Sequence, residues 1–134
     1  PSLRRDQAVP GRSMSILVID NDSRIVEATS ALLSGMGHIA LGAMTGRDAL
    51  ALCDQADAVL ADYQLDHGED GLTVIGALWA RRPDLPVRLV TAESGEAMVD
   101  RARRMGVTIL AKPVDPDRIA QFLFDASVLQ IKPE

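Results

Sequence analysis

Residues 15–22 read SILVIDND, a short apolar run that ends abruptly at Asp20. Five residues are too few for a helix, and the Ile and Val content favours a strand that is buried on both faces. Strands of this kind are typical of parallel sheets that helices cover on both sides. The stretch therefore predicts a buried strand over 15–19, followed at once by a polar segment.

The same alternation continues along the rest of the chain. Apolar runs predict strands near 39–42, 58–61, 87–90 and 107–111, and helical patterns lie near 23–36, 46–55, 72–82, 95–105 and 116–129. Helix boundaries are signalled by Thr45 and Asp115 as N-caps, by Gly37 after the first helix and by Pro83 after the third. The order βαβαβαβαβα predicts parallel strands joined by right-handed crossovers, with helices on both faces of the sheet.

Composition bounds the class of protein. The 134 residues suit one domain, and 14 basic against 19 acidic residues give a net charge of −5, which argues against direct nucleic-acid binding. An apolar content of 47% excludes general disorder. The single cysteine, Cys53, excludes an internal disulfide, and no apolar run approaches the roughly 18 residues of a membrane span. We therefore expect a cytoplasmic domain with no membrane segment in this fragment.

The ends of the chain differ from its centre. Residues 1–14 are polar and carry two prolines and a glycine without any period, which predicts a linker or tail. We place the folded domain at 15–130 and a short tail at 131–134. Because the sequence begins with Pro1 rather than Met, we expect it to be part of a longer polypeptide.

Polar side chains end four of the predicted strands: Asp20, Asp62, Thr91 and Lys112. Because the carboxyl ends of parallel strands lie at one edge of a sheet, these side chains should converge there. Two neighbouring carboxylates repel each other unless a cation such as Mg²⁺ neutralises them. An Asp carboxylate can attack phosphorus, and Lys and Thr can bind phosphoryl oxygens. The pattern therefore favours phosphoryl chemistry at this edge.

Four motifs at these strand ends resemble those of one known family, the receiver domains of two-component response regulators. They are ILVIDND (16–22), VLADYQLD (59–66), LVTAE (89–93) and ILAKP (109–113). The resemblance spans about 15–127. It implies an α/β, flavodoxin-like (βα)5 three-layer sandwich with a parallel sheet in the order 2-1-3-4-5.

The resemblance also implies a set of site residues. Asp62 would be the phosphoacceptor, taking a phosphoryl group from a phosphohistidine and switching the surface formed by the fourth helix, fifth strand and fifth helix. The remaining roles would be Mg²⁺ binding by Asp20, Asn21, Asp62 and the backbone carbonyl of Gln64, phosphoryl binding and switching by Thr91, Ala92 and Lys112, and a cis peptide bond before Pro113.

Three features depart from the family pattern. Asn21 replaces the usual second acid, so we expect weaker Mg²⁺ binding, with Asp22 capping the first helix instead. Ile109 stands at the switch position where many members have an aromatic residue. The loop YQLDHGEDG (63–71) is one residue longer and acidic. We expect its acids to be solvated and His67 to have no functional role.

The resemblance implies a histidine kinase or histidine phosphotransfer domain as partner, in cis or in trans, docking near Ile25 and Ala28 and the loop after Lys112. The DND and DYQLD motifs favour the C-terminal receiver of a hybrid sensor histidine kinase over a free-standing regulator. Two alternatives remain open: a receiver-like interaction module that works without phosphorylation, and a haloacid-dehalogenase-type phosphatase with Asp20 as its nucleophile. Oligomeric state is not predicted.

Overall fold

The computed structural model describes residues 12–129, and within that range five strands alternate with five helices. The predicted order βαβαβαβαβα is confirmed. Residues 1–11 of the predicted leading tail, residue 130 and the predicted tail at 131–134 lie outside the described residues. The elements are β1 Ser15–Ile19, α1 Ser23–Gly35, β2 Ile39–Ala43, α2 Gly46–Leu52, β3 Ala58–Asp62, α3 Gly71–Arg81, β4 Val87–Thr91, α4 Glu96–Met105, β5 Thr108–Ala111 and α5 Pro116–Leu129.

The strands form one parallel sheet in the order β2-β1-β3-β4-β5, which confirms the flavodoxin-like prediction. In register, Asp62 pairs with Val90 and Thr91 pairs with Ala111. The residues that end β3 and β4 therefore lie side by side at one edge of the sheet, next to the residue that follows β5. The order reverses at β1 and β3, where ligands bind in sheets of this type.

Two apolar layers cover the sheet, and the alternation of side chains along β1 divides them. Leu17 and Ile19 face the layer formed with α2, α3 and α4, whereas Ile16 and Val18 face the layer formed with α1 and α5. Each of these four side chains is at most 3% exposed. β1 is thus buried on both faces, as its unbroken apolar sequence predicts.

The packed region extends to at least Met14, one residue before the predicted domain boundary. The Met14 side chain is buried, and its carbonyl oxygen accepts a hydrogen bond from the Ile39 N–H at 2.9 Å. Its own N–H donates to Nδ1 of His38 at 3.1 Å. These contacts align β2 beside β1. No helix within 12–129 has the length and hydropathy needed to cross a membrane.

Predicted capping residues lie where the helices begin. Asp22 accepts from the Arg24 N–H, Thr45 from the Asp48 N–H and Asp115 from the Asp117 N–H. The predicted helix at 46–55 divides into α2 and a 3-10 turn over Cys53–Gln55. Arg82 donates to the carbonyl oxygen of Cys53 at 2.8 Å, a long-range contact that satisfies a carbonyl at the helix end.

Candidate functional site

Three charged side chains converge at the carboxyl edge of the sheet. The ammonium nitrogen of Lys112 lies 3.4 Å from Oδ1 of Asp62 and 3.7 Å from Oδ2 of Asp20. Asp62 ends β3, Asp20 follows β1, and Lys112 follows β5. The Lys112 N–H also donates to the carbonyl oxygen of Thr91 at 3.0 Å, which fixes the lysine against the end of β4. Three of the four residues predicted from strand ends therefore form one charged cluster, and the fourth, Thr91, adjoins it through its main chain.

Asp20 is the buried member of the cluster, with 4% of its surface exposed. Its Oδ1 accepts a hydrogen bond from the Asp22 N–H at 2.9 Å. Burial raises the pKa of Asp20 above its ordinary value, and the nearby charge of Asp62 raises it further, while the Asp22 N–H and Lys112 lower it. One ammonium group thus only partly offsets two adjacent carboxylates.

Asp62 is more accessible than Asp20. Its side chain is 13% exposed, and Oδ1 accepts a hydrogen bond from the Tyr63 N–H at 2.9 Å. The Lys112 ammonium lies against the same oxygen atom. A partly accessible carboxylate held in this way can react with a phosphorus centre that approaches from solvent.

The donor atoms at this edge suit a small hard cation. The carboxylates of Asp20 and Asp62 present oxygen ligands, the type Mg²⁺ prefers, and their mutual repulsion is relieved by a bound cation. Asn21 lies between Asp20 and Asp22 and contributes an amide rather than a third charge. Within residues 12–129, no three Asp, Glu, His or Cys side chains form a metal-binding cluster. The residues fit Mg²⁺ with two carboxylates and neutral oxygen donors.

The predicted switch residues lie in two environments. Thr91 is 2% exposed, and its Oγ1 accepts from the Glu93 N–H at 3.0 Å, which leaves its hydroxyl hydrogen free to be donated. Ala92 lines the same groove as Asp62 and Lys112. Ile109 pairs with Leu89 in the sheet and packs, half-buried, against the core on the α4 side. The Lys112–Pro113 peptide bond is cis.

The acidic loop between β3 and α3 forms a small hairpin. Gln64 pairs with Asp70 in an antiparallel bridge, and the Leu65 N–H donates to the Glu69 carbonyl. His67 and Gly68 occupy the turn with φ values of +62° and +75°. Positive φ at both central residues is the signature of the type I′ turn, which suits tight hairpins. The backbone of His67 therefore adopts the left-handed conformation, which few non-glycine residues adopt.

The three acids of this loop, which we expected to be solvated, each also accept a hydrogen bond, and Asp66 remains exposed. Oδ1 of Asp66 accepts from Nδ2 of Asn21 at 2.9 Å, and Oε1 of Glu69 accepts from the Gly46 N–H at 2.9 Å. Asp70 caps α3 by accepting from the Thr73 N–H at 2.8 Å. Each carboxylate thus binds a different element around the site. The Asp-Gly pair just before the predicted α3 is the sequence signal for the last of these contacts.

Arg101 of α4 binds the same loop. Its guanidinium donates to Oδ2 of Asp70 at 3.0 Å and to Oγ1 of Thr73 at 2.8 Å. Burial raises the pKa of Asp70, but the hydrogen bonds from Arg101 and from the Thr73 N–H together lower that pKa below its ordinary value. The pair ties α4 to the start of α3 and to the loop after Asp62.

Two further contacts frame Asp62. Nε2 of Gln64 donates to Oε2 of Glu93 at 2.6 Å, which joins the loop after β3 to the loop after β4. Gly71 packs against the main chain of Asp62, where any Cβ would overlap the Asp62 carbonyl oxygen. Sequence reasoning did not identify Gly71, although a glycine at a helix start beside a buried strand is a sign of close main-chain approach.

A groove of about 570 Å³ adjoins the charged cluster on the α1 and α5 side. Apolar side chains line most of it, and Asp20, Asp62 and Lys112 close one end. Ile25, on α1, is 39% exposed at this groove. The α1 residues predicted for partner docking, Ile25 and Ala28, are among the lining residues. The groove therefore joins an apolar surface directly to the acidic site.

Comparisons with known proteins agree with this geometry. The model of the response regulator receiver domain family matches residues 16–124. The transcriptional regulatory protein ZraR of Escherichia coli is 32% identical over 110 residues, which are 80% of this chain and 25% of ZraR. The phyllosphere-induced regulator PhyR of Methylorubrum extorquens is 29% identical over 119 residues, which are 86% of this chain and 44% of PhyR. The chain thus spans less than half the length of either curated relative.

Solved structures show the same fold. The signal receiver domain of an HD domain-containing protein from Pseudomonas fluorescens superposes with a TM-score of 0.80 at 24% identity, covering 89% of this chain and 98% of that domain. A CheY-like receiver domain protein from Methanospirillum hungatei gives 0.78 at 22% identity, covering 87% and 95%. Because the family model covers almost all of the described sheet and helices, the chain belongs to the response regulator receiver domain family of two-component systems.

Proposed function

We propose that this receiver domain accepts a phosphoryl group on Asp62 from a phosphohistidine and acts as a switch in a phosphorelay. The observation that carries the proposal is the placement of the Asp62 carboxylate, which is accessible and lies 3.4 Å from the Lys112 ammonium. Asp20 lies within reach of the same ammonium. An anionic nucleophile beside a fixed cation suits attack on a phosphoryl group, whose oxygens the cation can neutralise.

The transfer follows from these positions. A carboxylate oxygen of Asp62 attacks phosphorus, a P–O bond forms, and the P–N bond to the donor imidazole breaks. The imidazole nitrogen keeps the electron pair of the broken bond and takes up a proton from water. Lys112, fixed against Thr91 by its N–H, pairs with the phosphoryl oxygens and offsets the charge that Asp62 gains.

Mg²⁺ is part of the proposal, because repulsion between Asp20 and Asp62 opposes the approach of a third anion. The residues that would hold the cation are Asp20, Asp62, the amide oxygen of Asn21 and the carbonyl of Gln64. When bound, Mg²⁺ supplies positive charge to the phosphoryl oxygens. Asp20 contributes negative charge from a buried position, and it is oriented by the Asp22 N–H.

The switch would act through Thr91 and the α4-β5-α5 surface. The hydroxyl hydrogen of Thr91 is free to be donated to a phosphoryl oxygen on Asp62, in the adjacent strand. In this domain Ile109 stands where many members of the family have an aromatic residue. Its side chain cannot swing, as a ring would, into the space that the Thr91 hydroxyl vacates when it moves toward the phosphoryl group. We therefore assign the readout to the loops after β4 and β5, through the Lys112–Thr91 main-chain contact and the Gln64–Glu93 hydrogen bond.

The phosphodonor would dock on the groove between α1 and α5. Ile25 provides exposed apolar surface there, and Asp62 lies at one end of the groove. A histidine kinase or a histidine phosphotransfer domain, in cis or in trans, would place its phosphohistidine at this end. The placement in a hybrid sensor histidine kinase and the cytoplasmic location stay predictions.

The proposal is tested by incubating the domain with Mg²⁺ and either acetyl phosphate or a phosphorylated histidine phosphotransfer domain. Intact mass should show one added phosphoryl group on the wild type. Asp62→Asn should abolish the addition, whereas Asp54→Asn, which removes an exposed carboxylate paired with Arg81, should not. Equal labelling of Asp62→Asn and wild type would refute the assignment.

The second candidate is an interaction module that works without phosphorylation. Asn21 and Ile109, which replace an acid and an aromatic residue of the family pattern, are the observations that favour it. This candidate predicts that neither acetyl phosphate nor a phosphorylated histidine phosphotransfer domain changes the mass of the domain. It also predicts that beryllofluoride with Mg²⁺ leaves the spectrum of the domain unchanged. The haloacid-dehalogenase alternative is set aside because the family match assigns the chain to receiver domains.

A further inference from the structure

Asn21 and Asp66 contact each other beside the acidic pair although they are 45 residues apart in the chain. Nδ2 of Asn21 donates to Oδ1 of Asp66 at 2.9 Å. Asn21 directly follows Asp20, and Asp66 lies in the hairpin that follows Asp62. The contact therefore joins the two loops that carry the carboxylates of the site.

The hairpin determines where Asp66 lies. Its carbonyl oxygen accepts from the Glu69 N–H at 3.2 Å, and the Glu69 carbonyl accepts from the Leu65 N–H at 3.2 Å. Leu65 is buried, so the residue before Asp66 is held in the core. The turn at His67 and Gly68 then places Asp66, which stays exposed, opposite Asn21.

The contact decides which way the Asn21 amide points. A carboxylate at neutral pH is an acceptor only, so the amide must present its NH₂ group to Asp66. The oxygen of the same planar group then faces away from Asp66 and is free for another partner. Without Asp66, an exposed amide can present either its oxygen or its nitrogen, and a nitrogen donor repels a cation.

Asp66 also adds a negative charge next to residue 21, where the family pattern has an acid and this chain does not. The two-acid pattern of the family would place a carboxylate at 21, and this chain has a neutral amide there. The Asp66 carboxylate accepts a hydrogen bond from that amide and polarises it, so that the amide oxygen becomes a better ligand for a cation. Partners of this kind orient metal ligands and raise their basicity.

We propose that Asp66 is a positioning residue of the Mg²⁺ site, holding the Asn21 amide with its oxygen toward the cation and replacing part of the charge that Asn21 lacks. This inference rests on the proposed function, since it concerns the cation that the phosphoryl transfer needs. Asp66 acts through Asn21 and is not itself a ligand.

Mg²⁺ titration followed by amide NMR shifts of Asp20, Asn21, Asp22 and Tyr63 tests the proposal without any phosphodonor. Asp66→Ala should raise the Mg²⁺ dissociation constant about 5- to 10-fold. This increase is small for the removal of a residue that orients a metal ligand, because the contact is exposed. Asp66→Asn keeps an acceptor oxygen for Asn21 and should lose less affinity. Asp84→Asn removes the same charge from an exposed position just before β4 and is the matched control.

A double-mutant cycle tests whether Asp66 acts through Asn21. Asn21→Asp alone brings two carboxylates into contact, whereas Asn21→Asp with Asp66→Asn restores a donor and an acceptor with their roles exchanged. The effect of Asp66→Asn on Mg²⁺ affinity should therefore shrink or reverse in the Asn21→Asp background. Additive effects would contradict the coupling.

The outcomes separate this inference from the proposed function. If the amide NMR signals near Asp20 and Tyr63 of the wild type do not shift with Mg²⁺, the domain does not bind the cation that the proposed function needs, and the proposed function is refuted. If wild type binds and Asp66→Ala binds equally well, only the role of Asp66 is refuted. Urea unfolding of each variant shows whether the fold is intact, and Asp66→Asn replaces Asp66→Ala in the comparison if the latter is unfolded.

Discussion

Gly71 lies so close to Asp62 that the Asp62 carbonyl oxygen occupies the space where a Cβ of residue 71 would stand. The Gly71 N–H donates to the neighbouring carbonyl of Tyr63 at 2.6 Å. The start of α3 is therefore built directly onto the end of β3. The position of the main chain at Asp62, the proposed phosphoacceptor, depends on the absence of a side chain at residue 71.

Gly71→Ala should destabilise the domain by about 2 kcal/mol, because the main chain must move to make room for a methyl group. The displaced chain carries Asp62, so phosphorylation by acetyl phosphate should also slow. Gly76→Ala is the matched control, since its Cβ would meet only Met105 at an ordinary 3.8 Å and alanine favours a helix interior. Urea unfolding should rank Gly76→Ala at or above wild type; equal stability of Gly71→Ala and wild type would contradict the packing argument.

Asp20→Asn should make the domain more stable at pH 7 by about 1 kcal/mol while weakening Mg²⁺ binding. The carboxylate is buried beside Asp62, and its raised pKa shows that its charge is disfavoured in the folded state. Asparagine keeps an oxygen for the Asp22 N–H and removes the charge. Residues kept for function at a cost in stability commonly behave in this way.

The control for this effect is Asp57→Asn, since Asp57 also accepts a main-chain hydrogen bond, from Ser15 at 2.8 Å, but lies at the opposite edge of the sheet. Asp57→Asn should not stabilise. Added Mg²⁺ should raise the unfolding midpoint of wild type more than that of Asp20→Asn, because only the folded state holds the cation. A lower midpoint for Asp20→Asn without Mg²⁺ would refute the argument.

Strand ends were predictable from sequence because they depend on local pattern and on one rule of parallel sheets. Asp20, Asp62 and Lys112 each follow an apolar run, and placing those runs side by side brings the three together. The same reasoning located the caps Asp22 and Thr45, which act within three residues.

The loop after Asp62 was not predictable in this way. Its acids bind Asn21, Gly46 and Arg101, which are 45, 23 and 31 residues away from their partners. No local pattern encodes such distances, and the turn lacks the Asn-Gly or Asp-Gly pair that usually marks a type I′ hairpin. His67-Gly68 takes its place, so the loop resembled a solvated segment.

Arg101→Ala should destabilise the domain by about 1 kcal/mol at pH 7, because it removes two hydrogen bonds to the N-terminus of α3. Arg103→Ala is the control, since Arg103 forms an exposed pair with Asp100 on the same helix and such pairs contribute little. Thermal unfolding of both variants, measured under identical salt, gives the comparison.

The pH dependence of the Arg101 effect has a defined sign. Asp70 has a pKa below its ordinary value of 3.8 in the folded domain, so it binds protons less tightly there than in the unfolded chain. Its contribution to stability is therefore complete above pH 3.8 and is lost as the pH falls through the lowered folded value. The difference between wild type and Arg101→Ala should narrow below pH 3.8; a difference that widens on acidification would contradict this assignment.

His67→Val should destabilise the domain by about 1 to 2 kcal/mol, because a β-branched residue is strained at a φ of +62°. His67→Gly relieves that strain and should be at least as stable as wild type. The side chain of His67 is exposed, so neither change removes core packing, and the contrast isolates the backbone conformation of the turn. Because this turn places Asp66 opposite Asn21, His67→Val should also weaken Mg²⁺ binding, whereas His67→Gly should leave it unchanged. Equal unfolding midpoints for the two variants would show that the turn is not the element that holds Asp66 at the site.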